Sequence, residues 1–374
     1  EDQKINMYVC GITPYAPSHL GHAMCAIVFD VARRYFEFRG FDVRHITNFT
    51  DIDDKMIVAA AEEGIEVSEL AERNIQSYLS ELNRLNVLPA TEFPRATHEI
   101  NSIIEIIVGL IGKEFAYEVN GDVYFRVKND DDYGKLSNRK LEDLVAGARL
   151  DLDDAKEYPG DFSLWKSQKS GEPAWDSPWG KGRPGWHIEC SAMSISYLDK
   201  SIDIHGGGLD LVFPHHENEI AQSRCANKTS NFANYWLHNG FVTFDKEKMS
   251  KSMGNIVAIN KLRENINGQV VRLALLSSHY KQPLDWNEKL IKESQNTLNK
   301  WYGLFEKTDS EELQDDVLDP LLEDLNTPEY ISKLHLLYDE SSKGNSTSSI
   351  KTPCGFSDIL FLHQRFKLVT TVFE

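Results

Sequence analysis

The feature that most constrains this chain is the alternation of strand and helix patterns at its start. Met7–Val9 is a short apolar run, and apolar residues then recur at helical spacing from His19 to Arg39. A β-rich run over Val43–Phe49 follows, and the acidic stretch Asp51–Asp54 indicates the start of another helix, because carboxylates stabilise helix N-termini. Strands that alternate with helices pair in parallel. We therefore predict an α/β fold with a parallel sheet and crossover helices.

The alternation is interrupted in the middle of the chain. From Phe115 to Trp179, short β-like runs alternate with acidic or turn-rich loops, which indicates an inserted α+β subdomain. The predicted organisation is a first half of the parallel-sheet domain at 1–114, the insertion at 115–180, a second half at 181–255, a connecting stem at 256–290 and a helical region at 291–374. Further elements are predicted at Val67–Leu85, Thr97–Lys113, Val123–Val127, Ile202–His205, His215–Arg224 and Trp236–Phe244.

Composition and charge exclude several protein classes. The 374 residues are 41% hydrophobic and 26% charged, so wholly disordered and collagen-like chains are excluded. The formal net charge of −18 argues against indiscriminate polyanion binding. The longest apolar stretch, Ile100–Gly112, is too short to span a bilayer. Five cysteines without framework spacing are typical of reduced thiols, so we expect a cytoplasmic protein without membrane attachment.

The string His19-Leu20-Gly21-His22 opens the first long helix after a predicted strand and a proline-bearing loop. Backbone N–H groups and the dipole at a helix N-terminus favour anions. Two imidazoles one turn apart add hydrogen-bond donors, and Gly21 leaves room for a ligand. The string predicts a phosphate site, although surface histidines that flank a glycine explain these four residues equally well on their own.

Two further strings suit a nucleotide. Lys248-Met249-Ser250-Lys251-Ser252 combines lysines with small hydroxyls, which suits a loop that neutralises a leaving pyrophosphate. His205–Asp210 contains three glycines against which a flat ligand can lie, and Asp210 is placed to accept from ribose hydroxyls. The alternative for the lysine-rich string is a solvated turn, and the alternative for the glycine run is a tight turn. No GxxxxGK[ST] string occurs, so a P-loop is not expected.

A possible metal site is spread along the chain. Its members are Cys10 near the end of the first predicted strand, Cys190, and the pair His215 and Glu219, whose spacing of four places them on one helix face. Two thiolates, one imidazole and one carboxylate form a suitable zinc shell. Buried, inert cysteines are the alternative, which we favour for Cys25, Cys225 and Cys354.

Taken together, these strings resemble a known family. His19–His22 and Lys248–Ser252 resemble the paired signatures of class I aminoacyl-tRNA synthetases. The resemblance to cysteinyl-tRNA synthetases is dense from Tyr8 to Asn255 and includes Tyr8–Gly11, Thr50–Lys55, Gly185–Met193, His205–Gly208 and Phe213–Gln222. It continues through Val271–Tyr280 and Asp324–Pro328, and we recognise nothing beyond about Ser341. The resemblance implies a Rossmann-like catalytic domain and a helical tRNA-binding region at 291–374.

The resemblance also implies a zinc site and a cysteine pocket. One zinc ion per chain would be bound by Cys10, Cys190, His215 and Glu219. The metal would accept the substrate thiolate, whereas a pocket that senses only size separates cysteine from serine by roughly 1–3 kcal/mol. The residues implied in the cysteine pocket are Thr50, Trp186 and His205.

The ATP site is implied in the same way, with Mg²⁺ accompanying ATP. His19 and His22 would stabilise the transition state at the α-phosphate, and Lys248 and Lys251 would do so at the leaving pyrophosphate. The residues implied at ATP and adenosine are Gly21, Gly207, Asp210, Trp236, Val242 and Lys251. Catalysis would depend on positioning and charge stabilisation, because the substrate carboxylate itself attacks.

The implied function is that of a monomeric ligase that activates L-cysteine with ATP and transfers it to tRNA for cysteine. The cysteine ligases of mycothiol synthesis are an alternative, because they share the core and zinc site but pass cysteine to an amino-sugar. The strings Glu217–Gln222 and Asn326–Pro328 favour the synthetase. A non-catalytic paralogue has no need of both signatures, and a zinc hydrolase needs a water position that four protein ligands do not leave. Residues 291–374 carry 15 acidic and 8 basic side chains, so any tRNA-binding patch there must be small.

Overall fold

The predicted alternation of strands and helices is confirmed at the start of the chain. The computed structural model describes residues 3–141, 155–244, 246–248, 257–262, 265–305, 310–311, 315–342 and 352–353. Strand β1 (Lys4–Ile12) is followed by helix α1 (Leu20–Phe38), strand β2 (Asp42–Phe49) and helix α2 (Asp54–Glu63). The predicted acidic cap of α2 is Asp53, whose side chain accepts a hydrogen bond from the Lys55 backbone N–H at 2.8 Å.

The remaining elements continue along the chain as follows. The other described helices are α3 (Val67–Arg84), α4 (Ile100–Ile111), α5 (Trp186–Tyr197), α6 (Glu217–Asn227), α7 (Ile259–Leu262), α8 (Gly268–Leu276), α9 (Glu288–Phe305), α10 (Asp315–Leu322) and α11 (Thr327–Ser342). The other described strands are β3 (Ala116–Val119), β4 (Asp122–Phe125), β5 (Phe162–Ser167), β6 (Gly182–Pro184), β7 (Ile202–Gly208), β8 (Ala233–Asn239), β9 (Val242–Phe244), β10 (Glu247–Lys248), β11 (Leu284–Trp286), β12 (Ser310–Glu311) and β13 (Thr352–Pro353). Short 3₁₀ turns lie at Ala96–His98, Val127–Asn129 and Leu209–Leu211, and a π-helical turn at Val212–His216 precedes α6.

A parallel sheet in the order β2-β1-β7-β8 forms the centre of the fold. Tyr8 of β1 pairs with Ile46 of β2 on one side and with His205 of β7 on the other. Helix α1 packs closely on this sheet, since a Cβ atom at Gly206 would lie only 2.1 Å from the Phe29 ring. The glycines at 206–208 were predicted to follow a strand, but they lie within β7. At Gly206 the close approach of Phe29 requires a residue without a side chain.

The strands predicted in the insertion form a separate sheet, which also includes β6, just beyond the predicted limit at residue 180. β3, β4, β5 and β6 pair antiparallel in chain order. Phe125, Leu164 and Trp165 are fully buried in its core, where α4 and α5 also pack through Ile107 and Ile188. Antiparallel neighbours need only short connections, whereas parallel neighbours need a crossover helix. This difference explains why the sequence pattern changes between Phe115 and Trp179.

One strand prediction is wrong in its extent. The run Trp236–Phe244 is divided between β8, which ends at Asn239, and β9, which begins at Val242 and pairs with β10 and β11. At Gly240 the backbone N–H donates to Tyr280 O at 2.7 Å, and a Cβ atom would lie 2.7 Å from Gln282 O. A segment distant in sequence therefore ends the strand, and local periodicity carries no information about that contact.

Helices predominate after β11, as predicted. They share one apolar cluster with α1 and α8, which includes Trp301, Leu318 and Tyr330. Within this cluster the buried Arg272 of α8 pairs with the buried Asp30 of α1. Helix α8, which precedes β11, is therefore joined to the helix that begins after His19. Among the described helices, none is long and apolar enough to cross a membrane.

Candidate metal centre and nucleotide cleft

Four separate elements bring the predicted metal ligands together. Cys10 lies in β1, Cys190 on α5, His215 in the π-helical turn and Glu219 in the first turn of α6. All four side chains are buried, and one ligand atom of each lies within 4.8 Å of those of the other three. His215 and Glu219 face each other, as their spacing predicted, although His215 lies in the π-helical turn that runs directly into α6.

The distances within this cluster suit a small cation. Cys10 Sγ lies 3.9 Å from Cys190 Sγ and 3.4 Å from Glu219 Oε1. His215 Nε2 lies 3.0 Å from the same carboxylate oxygen. Ligand atoms about 2.0–2.3 Å from a tetrahedral zinc ion lie roughly 3–4 Å from one another. The donor set, with two sulfurs, one imidazole nitrogen and one carboxylate, is one that zinc accepts.

The electrostatics of the cluster also favour a cation. A hydrogen bond from Cys10 lowers the pKa of Cys190 to about 6. Burial opposes ionisation of Glu219, but His205 and His215 hold the pKa of its carboxyl well below the usual range. Burial and the neighbouring Cys190 raise the pKa of Cys10 well above its ordinary value. A cation that enters the cluster therefore meets a thiolate and a carboxylate and displaces the proton of Cys10.

His205, which was predicted to bind substrate, holds one of these ligands in place. Its Nε2 lies 2.8 Å from Glu219 Oε2, and its Nδ1 lies 3.0 Å from the backbone oxygen of Tyr8. Contacts of this kind orient metal ligands. A second group of possible ligand atoms within 4.8 Å of one another comprises Cys10, His205, His216 and Glu219. That group has a single thiolate, so the predicted group is the softer donor set and the better match to zinc.

The other two residues predicted for the cysteine pocket adjoin the same centre. The Trp186 ring lies 4.4 Å from the His215 ring, measured between centroids, and the side chain is 39% exposed. Thr50 is buried and hydrogen-bonds the carboxyl of Glu189, the residue before Cys190. The structure thus brings Thr50, Trp186 and His205 to the neighbourhood of the metal ligands.

The two histidines of the first signature hold each other in place at the start of α1. His19 caps the helix, with its Nδ1 accepting from the Gly21 backbone N–H at 3.1 Å. His22 Nδ1 accepts from the His19 backbone N–H at 3.3 Å, and the two rings stack at a centroid distance of 3.8 Å. Burial and the neighbouring His19 lower the pKa of His22 to about 3, so its ring is neutral. Because Nδ1 accepts in both rings, Nε2 is the nitrogen that carries a proton for a ligand.

One cavity of about 430 Å³ extends from the N-terminus of α1, where His19 and His22 lie, to Cys10 of the metal centre. A cavity of this size accommodates a small ligand or cofactor. Residues that line it include His19, Gly21, His22, Cys10, Trp186, Asp210 and Val242. Two described residues predicted at adenosine, Gly207 and Trp236, are not part of this lining. Trp236 instead packs on His205 at a centroid distance of 4.8 Å, and a Cβ atom at Gly207 would lie 2.9 Å from the Leu211 side chain.

Comparison with known proteins identifies the family. The sequence model of the family described as "tRNA synthetases class I (C) catalytic domain" matches residues 1–296. A cysteine–tRNA ligase from Pelagibacter ubique is 52% identical over 363 residues, which cover 96% of this chain and 80% of that protein. One from Caldicellulosiruptor saccharolyticus is 48% identical over 379 residues, with 96% and 81% covered. This chain belongs to the cysteine–tRNA ligase family. Nothing in these comparisons favours the amino-sugar ligases.

Solved structures of other class I synthetases share the fold of this cysteine–tRNA ligase family member. A methionyl-tRNA synthetase from Mycobacterium tuberculosis, in complex with methionyl-adenylate, has a TM-score of 0.69 at 17% identity and covers 96% of this chain and 88% of its own. A leucyl-tRNA synthetase from Agrobacterium radiobacter, in a ternary complex with tRNA, has a TM-score of 0.67 at 12% identity, with 96% and 82% covered. At such low identity the likeness confirms the α/β class I architecture alone.

The second family signature is described only in part. The backbone of Lys248 ends β10, where it pairs with Thr243 of β9. Lys251 lies outside the described residues, as does Cys354. The roles of Lys248 and Lys251 at pyrophosphate therefore stay predictions.

The sequence analysis missed three buried or largely buried histidines beside the metal centre. His187 Nδ1 lies 2.9 Å from His215 Nδ1, and His216 Nδ1 lies 2.8 Å from His238 Nε2. Burial lowers the pKa of His187 and His216 well below the usual value and that of His238 to about 4, so these rings are neutral. His187 and His216 each lie within three residues of a predicted ligand, which is the signal that could have identified them. His238 carries no such signal.

Proposed function

We propose that this chain activates L-cysteine with ATP and transfers the cysteinyl group to the 3′ end of tRNA for cysteine. Membership of the cysteine–tRNA ligase family supports this reaction. The observation that carries the proposal is the convergence of Cys10, Cys190, His215 and Glu219, because Cys10 also lines the cavity that His19 and His22 line.

We further propose that the cluster binds one zinc ion. When bound, zinc supplies a soft Lewis acid that lowers the pKa of the substrate thiol and prefers its thiolate to a hydroxyl. The chain's own residues do the remaining work of selection. His205 orients Glu219, and the Trp186 ring covers His215 at the cavity wall. A pocket that relied on size alone would separate cysteine from serine by only roughly 1–3 kcal/mol.

The first chemical step is adenylate formation. A carboxylate oxygen of cysteine attacks the α-phosphorus of ATP, and the bond to pyrophosphate breaks. His19 and His22, with Nε2–H groups fixed by their Nδ1 hydrogen bonds, stabilise the charge that develops at the α-phosphate. Lys248 and Lys251 neutralise the departing pyrophosphate, with Mg²⁺ accompanying ATP. Gly21 leaves room for the phosphate at the helix N-terminus, and Asp210 and Val242 contact adenosine.

The second step is transfer. A terminal ribose hydroxyl of tRNA attacks the carbonyl carbon of the adenylate, and AMP leaves. We assign tRNA binding to the helical region at 291–374. We also place the reaction in the cytoplasm and expect a monomer. A net charge of −18 makes unspecific RNA binding weak, so local contacts must supply affinity and selectivity.

Two assays on the purified protein test the proposal. Cysteine should support pyrophosphate exchange into ATP with a preference over serine above about 200-fold, the limit for discrimination by one small group. The protein should then charge tRNA for cysteine, and metal analysis should find about one zinc per chain. Exchange without charging, combined with transfer to an amino-sugar, would contradict the proposal. Equal use of serine would contradict the role of the metal.

A further inference from the structure

A loop of the inserted subdomain lies on the segment that carries two of the four metal ligands. We define this clasp loop as residues 130–139. Its contacts centre on Glu217, which is only 1% exposed and lies between the ligands His215 and Glu219 in sequence. Glu217 Oε1 accepts from the Gly134 backbone N–H at 2.9 Å, and Oε2 accepts from the Ser137 backbone N–H at 2.9 Å. Both oxygens are thus engaged by the clasp loop.

Two further contacts hold the clasp loop to α6. The Tyr133 hydroxyl donates to Asn218 Oδ1. Nearly two turns further along the helix, Arg224 pairs with Asp132. The clasp loop therefore follows α6 from its first turn to its third.

Helix α6 begins at an irregular junction. It runs on directly from the π-helical turn, in which Phe213 has φ −140° and ψ 131°, and the Glu217 backbone N–H donates to Pro214 O. His215 and Glu219 lie on either side of this junction. A small change in its geometry would move both ligands relative to Cys10 and Cys190.

We propose that Glu217 is a positioning residue of the metal centre, through which the inserted subdomain holds His215 and Glu219 in ligating geometry. The proposal rests on the metal site put forward under "Proposed function". Glu217 does not belong to the clusters of possible ligand atoms in the described residues, and its carboxylate accepts from three amides of the clasp loop, those of Gly134, Leu136 and Ser137. Hydrogen bonds from amides to a buried carboxylate are short and strong, so they transmit the position of the loop to the helix.

The same arrangement reaches His215 from a second direction. Phe162 of β5 stacks with Tyr133 of the clasp loop and contacts the His187 ring edge-on at a centroid distance of 5.7 Å. His187 in turn lies 2.9 Å from His215 at Nδ1. The inserted sheet therefore contacts the metal-binding segment both through Glu217 and through His187. Activation of cysteine and the placement of the insertion are thereby mechanically linked.

The test compares Glu217→Gln with a matched control, Asp122→Asn. Asp122 is also a carboxylate of the inserted subdomain, and it too accepts from a backbone amide, that of Ser167, and from a tyrosine hydroxyl, that of Tyr124. In Glu217→Gln the side-chain NH₂ replaces one oxygen and faces a backbone N–H, so the amide contacts of that oxygen are lost. The measurement is the rate at which a colorimetric chelator removes zinc from the intact protein, with Tm and the KM values for cysteine and ATP recorded in parallel.

We expect Glu217→Gln to release zinc at least about 10-fold faster than the wild type, the usual effect of losing a group that orients metal ligands. The KM for cysteine should rise while the KM for ATP stays unchanged. Asp122→Asn should release zinc at the wild-type rate whatever its Tm. Zinc release from Glu217→Gln at the wild-type rate would overturn the proposal. So would equally fast release from Asp122→Asn, because the effect would then follow general stability.

A second variant covers the case in which Glu217→Gln does not fold. Tyr133→Phe removes only the hydroxyl that donates to Asn218 and keeps the ring that stacks on Phe162. Faster zinc release at unchanged Tm supports the proposal, and wild-type release overturns it. A wild-type protein that binds no zinc would instead contradict the metal site itself, so the two failures are distinguishable.

Discussion

The signature at the start of α1 and the metal centre meet at one cavity, which His19, His22 and Cys10 line, but the two sites are built in opposite ways. His19 and His22 lie three residues apart and fix each other through local hydrogen bonds and ring stacking. Cys10 and Glu219 are 209 residues apart and meet only because β1, α5 and α6 pack together. The phosphate site therefore depends on one helix terminus, whereas the metal site depends on the whole parallel sheet and on the insertion. A change in one should leave the other intact.

The largest expected effect is that of Cys190→Ser. It replaces a thiolate ligand by a hydroxyl that zinc accepts poorly, so zinc retention and cysteine-dependent pyrophosphate exchange should both fall by more than about 100-fold, the upper range for losing an orienting group. Metal analysis and exchange kinetics measure this. The matched control is Cys225→Ser, which alters a buried thiol outside the cluster. A control that loses zinc to the same extent would show that the metal depends on the fold in general.

The next effect is that of His19→Asn. Asparagine is a good N-cap, so α1 should begin as before, but the imidazole donor at the phosphate is lost. We expect kcat for exchange to fall by about 10²–10³-fold, with zinc content and the KM for cysteine unchanged. Steady-state exchange kinetics and metal analysis together decide the outcome. Loss of zinc from this variant would show that the two sites are not independent.

His45 shows what burial alone does to a histidine. His45 is buried, neither of its ring nitrogens has a hydrogen-bond partner among the described residues, and burial lowers its pKa from 6.5 to about 3. Because the folded pKa lies below the unfolded value, the unfolded chain binds more protons between these pH values, and stability falls as the pH drops through this window. From pH 6.5 to 5 this group should remove about 1.5 kcal/mol of unfolding free energy.

His45→Leu should therefore lose about 1.5 kcal/mol less than the wild type between pH 6.5 and 5. Urea unfolding at the two pH values measures the difference, and zinc content should not change. An unaltered pH dependence would mean that His45 is charged in the folded protein. His205 and His215 are also buried, but unlike His45 each has a ring nitrogen within hydrogen-bonding distance of the Glu219 carboxylate.

The smallest expected effect is that of Asp53→Ala, which removes the N-cap of α2. Loss of a capping hydrogen bond costs about 1 kcal/mol of unfolding free energy. Urea unfolding should detect this cost, while zinc retention stays at the wild-type level. Like the first signature, this cap is a local feature, so an effect on the metal would again contradict the separation of the two regions.

The features that the sequence could predict are local, and those that it could not predict depend on contacts between distant segments. The cap at Asp53 and the elements α1 and β2 depend on neighbours within a few residues, and the sequence predicted them. The break at Gly240 could not be predicted, because it depends on the backbone of Tyr280 and Gln282. The assignment of Trp236 and Gly207 to adenosine came from the family resemblance and stays a prediction. The structure places the Trp236 ring against His205 and Gly207 close to the Leu211 side chain.

The sequence by itself determined the α/β alternation, both signatures and the types of the metal ligands. These depend on periodicity, local capping and residue chemistry, which one stretch of chain contains in full. Only the tertiary structure decided that Cys10, Cys190, His215 and Glu219 converge, that His205 holds Glu219, and that Glu217 connects the metal-binding segment to the insertion. Those contacts form because distant strands and helices bury their apolar faces together, and burial fixes neighbours that no local pattern specifies.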